Sequence, residues 1–264
     1  MENSDSRIEV LKEPTVEKPF LIIYKPKGLP SAPLTAEDSR NALSQALAIF
    51  PELKDVCGKK PVEYGLLHRL DTATDGLIVI AATQECYDFL AAEQREGRFI
   101  KNYTARCDII PNNAELLGAF PPFHKDSPLR ELTATKLSIT ISSCFRPYGE
   151  GRKEVRPVTE ESGKAALSKL GSKKLYTTKI EITKLSASSA SAVCTITEGY
   201  RHQVRCHLAW AGYPVAGDTL YNSSCRQTAQ DKKNAENLLF SATKISFEYP
   251  RGDLNSYDRK DTWT

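Results

Sequence analysis

Strand-like runs dominate this chain, in agreement with an α+β fold. Three observations carry that reading. Residues 76–82, Gly-Leu-Ile-Val-Ile-Ala-Ala, form a short apolar run bounded by a turn, as a strand buried on both faces does. Residues 175–185 and 192–197 alternate apolar and polar side chains on either side of a Ser-rich turn, the pattern of a hairpin with one buried face. Helical apolar spacing is found at 41–50, 84–96 and 204–211, between these strand-like runs.

Taken in order, residues 1–18 are polar and are expected to form a flexible N-terminal segment. Pro19–Tyr24 reads as a strand stopped by Lys25-Pro26-Lys27-Gly28-Leu29-Pro30. The helix at 41–50 ends before Pro51. Thr72-Ala73-Thr74-Asp75-Gly76 is turn chemistry leading into the apolar strand, and Thr83 is the expected N-cap of the next helix, with Cys86, Phe89 and Leu90 on one face and Gly97 at its end. Residues 99–107 alternate again, with Phe99, Tyr103, Ala105 and Cys107 facing inward. From Pro111 to Lys174 the pattern weakens. Ala119–His124 reads as a loop, Leu137–Phe145 as a strand, and Arg146–Lys174 as a basic segment whose expected state is a solvated insertion. A loop that grips an RNA backbone is the functional alternative for it. The expected layout is a main domain over 19–250, with a variable insertion at about 111–174 and a C-terminal tail at 251–264.

Composition sets limits. The 264 residues carry 36 Lys and Arg against 33 Asp and Glu, a net charge of +3, which permits a nucleic-acid partner without requiring one. The seven cysteines (57, 86, 107, 144, 194, 206 and 225) are scattered and form no C-x-x-C pair. Reduced thiols in a cytoplasmic protein are therefore expected, with neither a disulfide framework nor a zinc ribbon. No apolar run reaches the length of a membrane span, and the N-terminus lacks a signal-peptide core.

Two clusters carry chemistry. His68-Arg69-Leu70-Asp71 places an imidazole, a guanidinium and a carboxylate on a loop just ahead of the buried strand, a common setting for a catalytic group. The plain alternative is that Asp71 closes an Asx turn onto Thr74 and is neutralised by Arg69. The second cluster runs from Glu198 to Pro214. In it Arg201 and Arg205 stand one turn apart near a helix N-terminus, where they could hold a phosphate or a carboxylate such as that of Asp71. His202 and Cys206 could share a metal, but His207 projects elsewhere and no acidic or cysteine partner has ligand spacing, so no metal is expected.

HRLD-x-x-T-x-G before an apolar strand resembles the signature of the RluA-type pseudouridine synthases. Three further stretches, in the same order, resemble other motifs of that family: Lys25-Pro26-Lys27-Gly28-Leu29, Lys101-x-Tyr103-x-Ala105, and the run from Gly199 through Gly217-Asp218-Thr219-Leu220-Tyr221. The resemblance spans about 19–110 and 175–250. It implies a single catalytic domain with a mixed, largely antiparallel sheet, flanking helices and a central cleft. It also implies an isomerase that converts uridines of tRNA or ribosomal RNA to pseudouridine without a cofactor. By the same resemblance Asp71 is the catalytic aspartate, Arg205 its ionic partner and Tyr103 the residue packed on the target base. RNA contacts fall to Arg69, His68, Arg201, His202, Gln203 and Lys25. A monomer is expected, and the catalytic domain must recognise RNA largely unaided.

Three positions depart from the family pattern: Asp75 where Ser is common, Tyr213 for a usual His, and Tyr24 for a usual Asn. Two other functions compete. A non-catalytic RNA-binding or ribosome-assembly protein would not need Asp71, Tyr103 and Arg205 together. A nucleic-acid hydrolase would need a paired carboxylate or metal set, for which Asp75 is the nearest candidate.

Overall fold

The computed structural model describes residues 7–110, 117–118, 120–122, 135–226 and 237–260. In chain order the elements are β1 (Glu9–Lys12), β2 (Phe20–Lys25), α1 (Ala42–Ile49), β3 (Asp75–Ala81), α2 (Gln84–Arg95), β4 (Ile100–Asp108), β5 (Lys136–Tyr148), β6 (Glu154–Val158), α3 (Lys164–Leu167), β7 (Tyr176–Lys184), β8 (Ser189–Ile196), α4 (Gln203–Trp210), α5 (Ser223–Arg226), β9 (Phe240–Glu248) and β10 (Leu254–Asp258). They form two compact units, Met1–Asn102 with Ser241–Thr264, and Tyr103–Phe240.

The first unit is built around β3, whose seven residues are all buried. β2 runs antiparallel to it from Phe20 opposite Ala81 to Lys25 opposite Gly76, and β9 runs parallel to it from Asp75 opposite Ser241. β1 and β10 complete the sheet as antiparallel neighbours of β2 and β9. A strand covered on both faces needs apolar residues at every position, which the sequence of β3 supplies. Phe20, Ile22, Leu77, Val79 and Phe247 pack with Cys86 and Leu90 of α2 on one side. Thr83 accepts a hydrogen bond from Cys86 N and so caps α2 as its sequence predicts; Asn41 caps α1 through Ser44 N.

In the second unit the strand order is β4-β8-β7-β5-β6. The β7–β8 hairpin and the β5–β7 pair are antiparallel, and Ile180 and Ile182 are buried while Lys179 and Glu181 face out, as their alternation predicts. All eight residues of α4 are buried, because the helix lies against β6 and β7 and joins a cluster containing Phe145, Val155 and Tyr221.

The structure corrects the reading of three segments. Glu9–Lys12 is a strand paired with β2, and Leu254–Asp258 pairs with β9, so the two ends are not simply a flexible segment and a tail. Both are short edge strands with mostly exposed side chains, and so carry little hydrophobic signal. The basic stretch after Arg146 is not solvated throughout. β6 pairs with the end of β5, and Arg156 is only 1% exposed, bonded to Gly118 O, Val155 O and Glu154 and stacked over Tyr148. A guanidinium with every face occupied can be buried, which residue counts along a chain do not reveal. Ala119, Phe123 and His124 lie outside the described residues.

Candidate active site

The first unit carries Lys25, His68, Arg69 and Asp71; the second carries Tyr103, Arg201, His202, Gln203 and Arg205. Around Asp71 the chain is braced through its backbone. Ser31 Oγ donates to Leu70 O at 2.7 Å and accepts from Leu70 N at 2.9 Å. Gly28 N donates to Thr72 O at 2.8 Å, and Thr74 N closes the turn on the main-chain oxygen of Asp71 at 3.0 Å. Arg69 Nη1 pairs with Glu63 at 3.2 Å. The Asp71 side chain sits partly exposed on this loop at the mouth of β3. Gly76, the glycine of the motif, has φ +133°, and a Cβ there would fall 2.3 Å from Ala242 O of β9, so any other residue would part the two strands.

Lys25 is fully buried beneath this loop. Its ammonium donates to Pro26 O at 2.9 Å and Leu29 O at 2.8 Å, with Thr72 O at 3.4 Å. Burial pushes its pKa down to about 7, partly offset by the negative charges of Asp75 and Asp71. Asp75 is equally buried. Its Oδ2 accepts from Tyr24 OH at 2.8 Å, while Oδ1 lies 3.9 Å from the Lys27 ammonium. Two of the three departures noted in the sequence are thus partners of each other, a phenol and a carboxylate where the family usually has an amide and a hydroxyl. Burial and then the Asp75 bond raise the Tyr24 pKa, so the phenol keeps its proton and donates.

In the second unit Arg205 and Asp218 form a buried two-pronged pair, Nε to Oδ2 and Nη2 to Oδ1, both at 2.8 Å. Asp218 also accepts from Leu220 N and Tyr221 N at 2.9 and 3.1 Å. Burial alone would raise its pKa, but the Arg205 charge and these N–H donors outweigh it and hold the carboxyl below its usual range. Tyr221 OH accepts from Val155 N at 2.8 Å and meets His202 Nδ1 at 3.0 Å. Gly217-Asp218-x-x-Tyr221 therefore works as a clamp on Arg205 and His202. The sequence displayed that motif, but nothing local pointed to Arg205 as its partner. Tyr103 is 8% exposed and stacks on Phe240, with ring centroids 5.2 Å apart.

Several expected roles change. Arg201 and Arg205 do not converge on a helix N-terminus: His202, with φ +56°, separates an exposed Arg201 from the helix, and Arg201 Nη2 donates to Arg152 O and Glu154 O. Three residues expected to touch RNA have partners within the protein. Lys25 holds loop carbonyls. Gln203, 2% exposed, bonds Tyr200 N, Thr177 O and Thr178 Oγ1. His68 accepts from Val79 N through Nε2 and meets Phe99 edge-on; burial and the nearby Lys101 charge hold its pKa well below the usual range, so it is neutral. Lys101, also missed, is 5% exposed on the same side of β4 as Tyr103. His207 lies between Ser143 and Thr178. Among the described residues no group of three or more His, Cys, Asp or Glu could hold a metal ion, and no helix is long and apolar enough to cross a membrane.

A match to the RNA pseudouridylate synthase family covers residues 19–210, which includes the Asp71 loop, Tyr103 and Arg205. The chain belongs to that family. Members similar to it include an uncharacterized RNA pseudouridine synthase of Mycoplasma pneumoniae, 28% identical over 93% of this chain and 64% of the relative. Another is the dual-specificity RNA pseudouridine synthase RluA of Escherichia coli K12, 27% identical over 88% of this chain and 84% of the relative. A third, ribosomal large subunit pseudouridine synthase D of Neisseria meningitidis, is 22% identical over 90% of this chain and 54% of the relative. The chain thus spans about two thirds or less of the first and third of these proteins. Among solved structures, human RNA pseudouridylate synthase domain containing 1 superposes with a TM-score of 0.63 at 16% identity, covering 100% of this chain and 87% of that one. Human domain containing 4 gives 0.57 at 18%, covering 96% and 88%. Both show the synthase fold.

Proposed function

We propose that this protein is an RNA pseudouridine synthase, an isomerase that converts uridines of structured RNA to pseudouridine with Asp71 as its catalytic carboxylate. The observation that carries the reading is the loop itself. Its backbone is fixed by Ser31, Gly28, Lys25 and Gly76, which holds the carboxylate of the family motif, partly exposed, at the mouth of the buried strand.

The reaction breaks the N1–C1′ bond of a uridine, turns the base and joins C5 to C1′, with loss of the C5 proton and gain of a proton at N1. Atoms and electrons balance within the nucleotide, so no cofactor or metal enters the proposal. What the step needs is an ionised carboxylate acting as nucleophile or base. In this reading the Arg205 guanidinium, fixed by Asp218, is the counter-charge of Asp71. Tyr103, held against Phe240, stacks on the extruded base and assists removal of the C5 proton. Arg69, Arg201 and His202 handle the RNA, and Arg69 helps hold the flipped nucleotide. The relatives' names favour tRNA, ribosomal RNA or both as substrate. The protein is further proposed to act as a monomer in the cytoplasm.

Release of tritium from C5-labelled uridine tests this directly, in tRNA and in ribosomal RNA separately. Release from either pool, abolished by Asp71→Asn with RNA binding retained, is the expected result. A variant with normal release would remove Asp71 from the chemistry. Binding without release by the wild type would favour an RNA-binding role on the same fold.

A further inference from the structure

We propose that a cleft within the second unit is an RNA subsite that takes one unpaired nucleotide, its base on an aromatic platform and its phosphate between two cations. This rests on the reading of the protein as an RNA enzyme, but it concerns residues to which that reading gives no role.

The cleft has a volume of about 290 Å³, at the small end for ligand sites and suited to a single nucleotide rather than a duplex. Its floor is aromatic. Tyr200 stacks on buried Phe145 with centroids 5.0 Å apart and planes 7° apart, and Tyr176 tilts against both at 5.1 and 6.0 Å. Tyr176 and Tyr200 are each partly exposed and line the cleft. Arg152 and Lys169 line the walls from two separate segments, both exposed, and among the described residues no carboxylate lines the cleft.

The walls are held in place. Arg201 Nη2 grips the carbonyls of Arg152 and Glu154 at 2.5 and 3.1 Å, and Arg152 itself takes φ +56°. On the other side Lys174 pairs with Glu198 at 2.9 Å, sits 5.7 Å from the Tyr176 ring, and donates its main-chain N–H to Ser172 Oγ. A platform of rings flanked by cations on braced loops is how single-stranded nucleic acid is held, because every base has a π-face and every nucleotide a phosphate. An acidic peptide would satisfy the cations but leave the ring surface unused. The basic segment 146–174 would then take part in RNA binding through a formed cleft rather than as a loose tail.

Fluorescence anisotropy with a labelled short oligouridylate and with bulk tRNA, over a series of salt concentrations, tests the proposal. Three proteins are compared: wild type, Arg152→Ala with Lys169→Ala, and Tyr200→Leu. For the oligouridylate, loss of the two cations should lower the slope of log affinity against log salt by about 0.7, from the one phosphate that they share. Tyr200→Leu should weaken binding by about fivefold or more with the slope unchanged. Affinities within about twofold of wild type and an unchanged slope in the doubly substituted protein overturn the proposal. That protein alters only exposed side chains, so the result does not depend on how Tyr200→Leu folds. The readout is binding, so tritium release by the wild type separately decides whether the parent reading holds.

Discussion

Replacing Asp218 by Ala should be among the most damaging single changes in the second unit. The carboxylate is 1% exposed and accepts four hydrogen bonds, two from Arg205 and one each from the N–H groups of Leu220 and Tyr221. Removal leaves a guanidinium that is 5% exposed without its two-pronged partner. Breaking a buried pair from one side costs about 3–5 kcal/mol, against a total stability of about 5–15 kcal/mol for a typical protein. Urea unfolding followed by circular dichroism should show this as a fall in midpoint at constant slope. Removing both charges, as Arg205→Met with Asp218→Leu, should cost much less than the sum of the single changes, because neither member of the pair is left without the other. The pH dependence has a definite sign. The folded carboxyl titrates below its unfolded value, so its stabilisation is present above the unfolded pKa and disappears as pH falls through the folded one. The gap between wild type and Asp218→Ala should therefore close in acid. A loss below about 1 kcal/mol for Asp218→Ala, or strictly additive single changes, would refute the clamp.

Lys25→Met offers a second pH test. The folded pKa of Lys25 is about 7, below its unfolded value, so between about pH 7 and 10 the unfolded chain holds a proton that the folded one lacks. Wild type should gain stability relative to Lys25→Met by up to about 1.4 kcal/mol per pH unit in that window; a flat difference would show that the ammonium is not buried. Tyr24→Phe removes the donor to Asp75 and should cost about 1–3 kcal/mol in urea unfolding. Adding Asp75→Ser to Tyr24→Phe should recover part of that loss, and no recovery would show that the two residues are not coupled.

Local pattern was enough for the elements that bury their own periodicity. β2, β3, α1, α2 and β7 lie within one or two residues of where their apolar spacing and caps put them, and β8 begins three residues earlier than its spacing suggests. The same holds for Tyr103, whose alternation with Ala105 and Cys107 predicts the buried side it occupies. The two candidate clusters were legible for a related reason. His68, Arg69 and Asp71 fall within four residues and Arg201 to Arg205 within five, and a motif survives in sequence when its parts are neighbours on the chain.

What sequence could not supply was choice of partner. Arg205 has several carboxylates open to it on paper and takes Asp218, thirteen residues on, because the turn after Val215 folds back over α4. Tyr24 and Asp75 are 51 residues apart and meet because β2 and β3 are antiparallel neighbours in the one register that buries both apolar faces. Lys25 and Arg156 read as surface cations until carbonyls, carboxylates and rings are seen to surround them. Periodicity reports which side of an element is dry. Which polar groups share that dry space, and so which charges can be buried without loss, is fixed only when the elements pack.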